Sequence, residues 1–572
     1  MSCARALRVS LSLLLVGAFA IAILAGPASA SPSSLATSAT LTNLGTVKPA
    51  TLSNAVRYTL PYAQPPVGGL RFANTLKLGT LPSNYSAAVQ ASGCMQSGDS
   101  TDDGVSFSED CLFMDVYVPA NATTSSALPV LVWLPGGSFI GGSARNAGLD
   151  GSLLAAEQNI IVVIMQYRLG VFGWLQTAST FDETKGGAAG SSTVAGNQAV
   201  RDVVMALTFI QDHVGSLGGD KSKVTLAGQS SGGHMVRALL GTPAADDLFS
   251  QAIIASDPEN YGASSVKTQN VLGDSVLLQL WCSTLSCARK ASASKVLEAS
   301  EIAFSTAHTF HSNIPAGEPW RPMLGSYISG DVQKNASAGP KRKVIFSTVP
   351  NEAGAVVGAN IGATAANAKL LPLASIPWFK VTLQFAADIF YSGGRGTKLA
   401  TNAAYEQNST SVGQKDGLRA LLEGMGTDGT FRCSSQHTAL ALATAGHKVY
   451  IAEHHQGYTY PDNADIDYCT ESGKVCHEDD IYLVFGTYPA DATSAVVAAS
   501  KELRARWGAF VRGGTPNADG YPMWSTTKSV TELNVLQLGA KSDGASGIAS
   551  QQRLQACSVW GSTVQYDWQM YG

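Results

Sequence analysis

The chain has 572 residues, with 38 Lys plus Arg against 42 Asp plus Glu and a formal net charge of −4. A near-balance without a basic block excludes an electrostatic nucleic-acid binder, so no nucleic-acid partner is expected. Apolar residues make up 45% and charged residues 14%, and no Pro/Gly/Ser-rich linker, charge block or repeat divides the sequence, which reads as one large domain with long insertions.

Residues 1–30 begin with Arg5 and Arg8, run through an apolar stretch from Leu11 to Ala25 and end in Ala28-Ser29-Ala30. This is the pattern of a secretory signal peptide with a small-residue cleavage site, and it predicts an exported, soluble mature domain over residues 31–572. The apolar stretch is shorter than the ~20 residues that cross a bilayer, and no later run predicts an integral membrane anchor. Loss of Cys3 with the leader leaves Cys94, Cys111, Cys282, Cys287, Cys433, Cys469, Cys476 and Cys557. An even number in an oxidising compartment favours disulfides. Zinc ligation is the competing use, but the thiols are scattered and form no paired C-x-x-C set, so no metal is expected. Sequons at Asn84, Asn121, Asn335 and Asn408 permit N-glycosylation in a eukaryotic producer.

Along the mature chain, short apolar runs rich in β-branched residues predict buried strands at Val130 to Leu134, Ile160 to Ile164, Val224 to Ala227, Ala252 to Ala255, Val344 to Phe346 and Val449 to Ala452. Asn197 to His213 predicts a helix, because Val200, Val203, Val204, Leu207 and Ile210 share one face. Alternating strands and helices predict an α/β fold with a mainly parallel sheet covered on both sides. Ligands of such sheets bind beyond the carboxyl ends of the strands. Two of the predicted strands run straight into glycine-rich turns. The first turn, Pro135-Gly136-Gly137-Ser138-Phe139, has backbone N–H groups suited to a developing oxyanion, although an ordinary tight turn has the same composition. The second, Gly228-Gln229-Ser230-Ser231-Gly232, is a G-x-S-x-G element between a strand and the apolar run Met235, Val236, Leu239 and Leu240. Such a turn exposes a serine Oγ at the sheet edge. A Gly/Ser-rich loop is the alternative for the motif alone, and the flanking strand and helix argue against it.

With these segments, the chain resembles the type-B carboxylesterase and lipase family, which includes cholinesterases and large fungal lipases. The resemblance starts at Pro65-Pro-Val-Gly-Gly-Leu-Arg71-Phe72 and passes through Glu109-Asp-Cys111-Leu-Phe-Met-Asp-Val-Tyr-Val-Pro119, Gln166-Tyr-Arg168-Leu-Gly-Val-Phe-Gly173 and Gly196-Asn-Gln-Ala-Val-Arg-Asp202. It continues through Gly218-Gly-Asp220 and the Ser230 turn to Cys476-His477-Glu-Asp-Asp-Ile-Tyr-Leu-Val-Phe-Gly486. It implies an α/β-hydrolase fold and a serine ester hydrolase that needs no cofactor and acts on a small-molecule or lipid ester. Asn351-Glu352-Ala353-Gly354 resembles the family's acid turn, and Cys476-His477 its base. The implied roles are nucleophile for Ser230, orienting acid for Glu352 and general base for His477, in the fold's usual chain order. A solvated carboxylate is the plain alternative for Glu352, and His454 and His455, which also follow a strand, are the alternatives for the base. Gly137, Ser138 and Ser231 are the implied oxyanion donors. The resemblance further implies disulfides Cys94–Cys111, Cys282–Cys287 and Cys433–Cys557, which leaves Cys469 with Cys476, and structural ion pairs Arg71–Glu109 and Arg168–Asp202.

Several positions depart from the family pattern. Ser138 stands where Gly is usual, and its N–H serves as a donor if the turn needs no positive φ there. Gln229 replaces the usual Glu before the nucleophile, a change expected to remove a supporting hydrogen bond and no catalytic role. The loop between Cys94 and Cys111 is short and lacks the Trp that holds quaternary ammonium in cholinesterases, which disfavours choline esters and predicts an open site. Around the base, Tyr458, Tyr460 and Tyr468 interleave with Asp462, Asp465 and Asp467 ahead of Glu478, Asp479 and Asp480. These form either a mouth that disfavours anionic substrates or a solvated loop. The expected activity is carboxylesterase, with a lipase or sterol esterase for long acyl chains as the alternative. A serine peptidase of the same fold and a non-catalytic extracellular binding homologue are weaker readings, the last because it would carry a damaged triad.

Overall fold

The computed structural model describes residues 34–82, 85–98, 105–178, 196–310, 317–325, 327–360, 398–399, 402–405, 417–550 and 553–560. The leader and the sequons at Asn84 and Asn408 lie outside the described residues; Asn121 and Asn335 are exposed.

Among the described residues, eleven strands form one sheet. In chain order they are β1 (Ala50–Thr51), β2 (Ala55–Pro61), β3 (Phe113–Pro119), β4 (Leu128–Leu134), β5 (Ile161–Met165), β6 (Gly219–Gln229), β7 (Gln251–Ala255), β8 (Lys343–Thr348), β9 (Lys448–His454), β10 (Asn534–Leu538) and β11 (Gly547–Ser550). Their spatial order is β11-β10-β9-β8-β7-β6-β4-β5-β3-β2-β1. From β10 to β5 every neighbouring pair is parallel, and antiparallel pairs form both edges.

The central strands are apolar throughout because each face is covered. Val130, Val132 and Leu134 of β4 enter one core, whereas Leu131 and Trp133 enter the other. β8 divides likewise, with Val344 and Phe346 on one side and Ile345 on the other. The first core is closed by helices α1 (Gln198–His213), α2 (Ser231–Leu240) and α4 (Cys433–Thr444), and the second by α5 (Ser494–Gly513), whose Trp507 packs on Trp133 at 6.0 Å. Each fully buried aliphatic side chain contributes roughly 1.5–3 kcal/mol, so a two-sided sheet is the main source of stability. The apolar face anticipated on α1 is present: Val200, Val203, Leu207 and Ile210 are buried.

All four disulfides have the anticipated pairings. Both ion pairs also form. Arg71 meets Glu109 through two bonds of 2.6 Å and donates to the Ala291 carbonyl, and Arg168 meets Asp202 through two bonds of 2.8 Å. The described residues contain no helix long and apolar enough to cross a membrane, and no group of His, Cys, Asp and Glu arranged to hold a metal.

Candidate active site

The turn from β6 into α2 is tight enough to force Ser230 to φ 56°, ψ −129°, a region sparsely populated for residues with a side chain. It is held there by its N–H donating to the Ala255 carbonyl on β7 at 2.9 Å and by its own carbonyl accepting from His234 N–H at 2.9 Å. Glycine is required on either side: a Cβ at Gly228 would run into the Gly232 carbonyl, and one at Gly232 into that of Leu134. Ser231 opens α2, so its N–H is among the helix's unpaired amino-terminal donors.

Glu352 sits four residues past the end of β8, just ahead of α3 (Gly354–Asn360), and is 2% exposed. Its Oε1 accepts the Val349 N–H at 2.8 Å, and its Oε2 lies 2.6 Å from Nδ1 of His477. The loop carrying His477 is tied to the acid turn by Asn351, whose N–H donates to the Val475 carbonyl and whose side chain accepts from Val475 N–H, both at 3.1 Å. The Cys469–Cys476 disulfide closes that loop against Gly354, where a Cβ would lie 2.6 Å from Cys476 Sγ. Asp479 completes the frame by accepting from the N–H groups of Cys476 and Tyr460, each at 2.7 Å, and from the Asn463 amide at 2.9 Å.

Burial opposes protonation of His477, but the hydrogen bond and charge of Glu352, reinforced by Glu478 and Asp480, outweigh it and lift the imidazole above its usual range. The two alternative bases are engaged elsewhere. His454 is buried and paired with Asp480 at 2.7 Å, His455 pairs with Glu453 at 2.8 Å, and neither lines the cavity that contains Ser230.

The turn after β4 has three consecutive left-handed residues, Gly137 (φ 116°), Ser138 (φ 51°) and Phe139 (φ 59°). The turn therefore does need a positive φ at Ser138, contrary to the condition set for its donor role, but Ser138 adopts that conformation and still lines the cavity, so its N–H remains a candidate donor. Packing imposes the conformation: Phe139 is fully buried against Trp174 at 4.8 Å, and Gln96 of the short disulfide loop bonds both the carbonyl and the N–H of Gly142. Among the described residues, the Gly137 and Ser138 N–H groups have no backbone acceptor.

These turns converge on a cavity of about 220 Å³ lined by Gly137, Ser138, Ser230, Glu352 and His477. A larger crevice of about 350 Å³, beside Leu44, Lys77 and α1, contains none of them. Sequence reasoning missed three further walls. Phe431 stacks 5.2 Å from the His477 ring and lies on a π-helical turn, Thr427–Arg432, which no periodicity marks. Glu318 is buried and bonded to Nδ1 of buried His234 at 2.7 Å; burial pushes the carboxyl well up and the imidazole well down, so both side chains resist carrying a charge. Tyr261 follows β7. Gln229 corrects an expectation: its amide nitrogen lies 3.3 Å from Nε2 of His477, so this position touches the base directly. The acidic segment is likewise not one solvated loop. Tyr460, Tyr468, Asp479 and Asp480 are buried, whereas Asp462 and Glu478 line the cavity.

A serine at a strand-to-helix turn, with an acid after the next strand but one and a histidine on a later loop of the same sheet, defines the class: an α/β-hydrolase. The chain belongs to the carboxylesterase family, whose model matches residues 44–560. It is 27% identical over 529 residues to the liver carboxylesterase of Sus scrofa and 27% identical over 526 residues to carboxylesterase 1D of Mus musculus, with 87% of each chain covered in both comparisons. Two solved structures share the fold: a thermophilic PNB esterase (TM-score 0.69, 23% identity) and a PNB esterase (TM-score 0.67, 24% identity). Each covers 92% of this chain and 100% of its own. The protein is a carboxylic ester hydrolase.

Proposed function

We propose that this carboxylesterase acts through an acyl-enzyme on Ser230. His477 takes the Ser230 proton as Oγ attacks the ester carbonyl, and the developing oxyanion is met by the N–H groups of Gly137, Ser138 and Ser231. Collapse expels the alcohol, which receives the proton from His477. Water then repeats the cycle on the acyl-enzyme, with Glu352 holding the Nδ1–H tautomer and stabilising the imidazolium. The observation that carries this reading is the 2.6 Å contact of Glu352 with His477 in the same cavity as a serine held at φ 56°.

The size of that cavity, about 220 Å³, falls below the ~300–1,000 Å³ of pockets for drug-sized ligands, which supports short esters over long-chain glycerides or sterol esters. Among the described residues its lining carries the carboxylates of Glu352, Asp462 and Glu478 and no Lys or Arg, which supports neutral over carboxylate-bearing substrates. The leader pattern and four disulfides support an exported protein. One sheet drawing strands from Ala50 to Ser550 supports a single domain over residues 31–572.

Hydrolysis of p-nitrophenyl esters from acetate to palmitate, compared between wild type and Ser230→Ala, tests the proposal. Loss of activity in the variant and a rate that falls with chain length are expected. Retained activity would remove Ser230 as nucleophile, and a preference for palmitate would replace the short-ester reading with lipase.

A further inference from the structure

Gln229 directly precedes the nucleophile in the chain, and its side chain reaches the base. It is 1% exposed, and its Nε2 is 3.3 Å from Nε2 of His477. On the opposite side of the ring, Nδ1 is 2.6 Å from the Glu352 carboxylate, which can only accept, so Nδ1 carries the proton of the neutral imidazole. Nε2 then presents a lone pair. Of the two ends of a carboxamide only the –NH₂ can meet a lone pair, so the amide orientation at 229 follows from the presence of Glu352.

We propose that Gln229 is a positioning residue for the general base, its buried amide N–H donating to Nε2 of resting His477 and so favouring the neutral, Nδ1-protonated imidazole that accepts the serine proton. This rests on the assignment of Ser230 and His477 above. The groups facing His477 make the role useful. Glu352 contacts it from the acid turn, Glu478 and Asp480 flank it on its own loop, and each favours imidazolium, the form that cannot act as base. Phe431, packed against the ring from the π-helical turn, carries no charge. A Glu at 229 would add a further carboxylate beside Nε2 and hold the proton there. A Gln carries no charge, and while its amide nitrogen faces Nε2 its N–H and an Nε2–H would point at each other, so it favours the imidazolium less than a carboxylate would. In the catalytic cycle the amide yields Nε2 to the Ser230 hydroxyl, exchanging one hydrogen bond for another without net transfer of a proton to or from Gln229.

The pH dependence of kcat/KM for p-nitrophenyl acetate in wild type, Gln229→Glu and Gln229→Met separates this role from a structural one. The acidic limb is expected to move up by about one pH unit or more in Gln229→Glu and by less in Gln229→Met, which keeps the volume and loses the donor. Well below the limb, Gln229→Glu then loses roughly tenfold in kcat/KM relative to its plateau comparison with wild type. Limbs that coincide with wild type in either folded variant, or a limb moved down in Gln229→Met, would overturn the proposal. Ser230→Ala in the same series keeps the two readings apart: an inactive Ser230→Ala with unmoved limbs rejects the role of Gln229 alone, whereas an active one rejects the underlying assignment.

Discussion

Glu352→Gln is the most informative substitution, because the structure dictates which way the new amide must face. Oε1 of Glu352 accepts the buried Val349 N–H at 2.8 Å, and Oε2 stands 2.6 Å from Nδ1 of His477. A glutamine of the same shape has one acceptor and one donor at these two places. Its oxygen must stay on Val349, since reversing the amide would set –NH₂ against a buried N–H and cost about 1–3 kcal/mol. The –NH₂ therefore faces Nδ1, and the imidazole responds by moving its proton to Nε2, where it can no longer accept from Ser230. Removing the carboxylate in this way costs about 10⁴-fold in kcat, equivalent to about 5 kcal/mol of barrier. Initial rates with p-nitrophenyl acetate, with the thermal melt as a control for folding, provide the assay. Activity within tenfold of wild type, in a variant that melts normally, would show that Glu352 does not orient the base.

Three other outcomes follow from single contacts. Gly137→Ala places a Cβ against the Gly141 carbonyl at a φ of 116°, so the turn must shift and activity should fall by roughly 10²-fold or more, with unchanged kcat refuting Gly137 as a donor. Asp202→Ala strands Arg168, which is 3% exposed, and should cost about 3–5 kcal/mol in denaturant unfolding; an unchanged midpoint would refute a structural role for the pair. Burial, with Asp462, Asp479 and Asp480 acting against the pull of His477, pushes Glu478 up to about 7. It is therefore neutral below that pH and anionic above it, and preference for a neutral ester over a matched carboxylate-bearing one should grow as pH rises from 6 to 8.5 at low salt. In Glu478→Gln the preference should become flat with pH, and a profile identical to wild type would refute the assignment. The same raised value means that the contribution of Glu478 to stability is complete below its usual 4.5 and is lost as pH rises through about 7.

The strands and α1 were legible in the sequence because burial on both faces leaves an apolar run, while burial on one face of a helix leaves a 3.6-residue rhythm. Ser230 was legible because its turn requires nearby glycines. Glu352 and His477 were not, on spacing alone: 125 positions separate them, and Asn351 joins their loops through bonds that no local pattern records. The resemblance supplied them. Ser138 misled because the sequence offers a side chain where packing of Phe139 enforces a left-handed backbone. Gln229 misled because its neighbour is the nucleophile, and only the twist of the elbow shows that its side chain reaches across to the base. The run Glu478-Asp479-Asp480 reads as one acidic patch, yet each carboxylate has its own surroundings.

Those surroundings account for how an acid-rich site retains a usable base. Asp479 is satisfied by three N–H donors and shapes the loop, while Asp480 is committed to His454. Glu318 is buried against His234, and burial keeps Glu478 neutral up to about pH 7. Hydrogen bonding and burial thus moderate most of the negative charge that composition places around His477, leaving the Glu352 contact as the strongest specific pull toward imidazolium. In the proposed arrangement the Gln229 donor opposes that pull at Nε2, the nitrogen where the serine proton must arrive. The contact with Glu352 fixes the tautomer, and the contact with Gln229 limits how tightly the proton is then held. A base needs both, because an imidazole that is correctly oriented but already protonated is as inactive as one in the wrong tautomer.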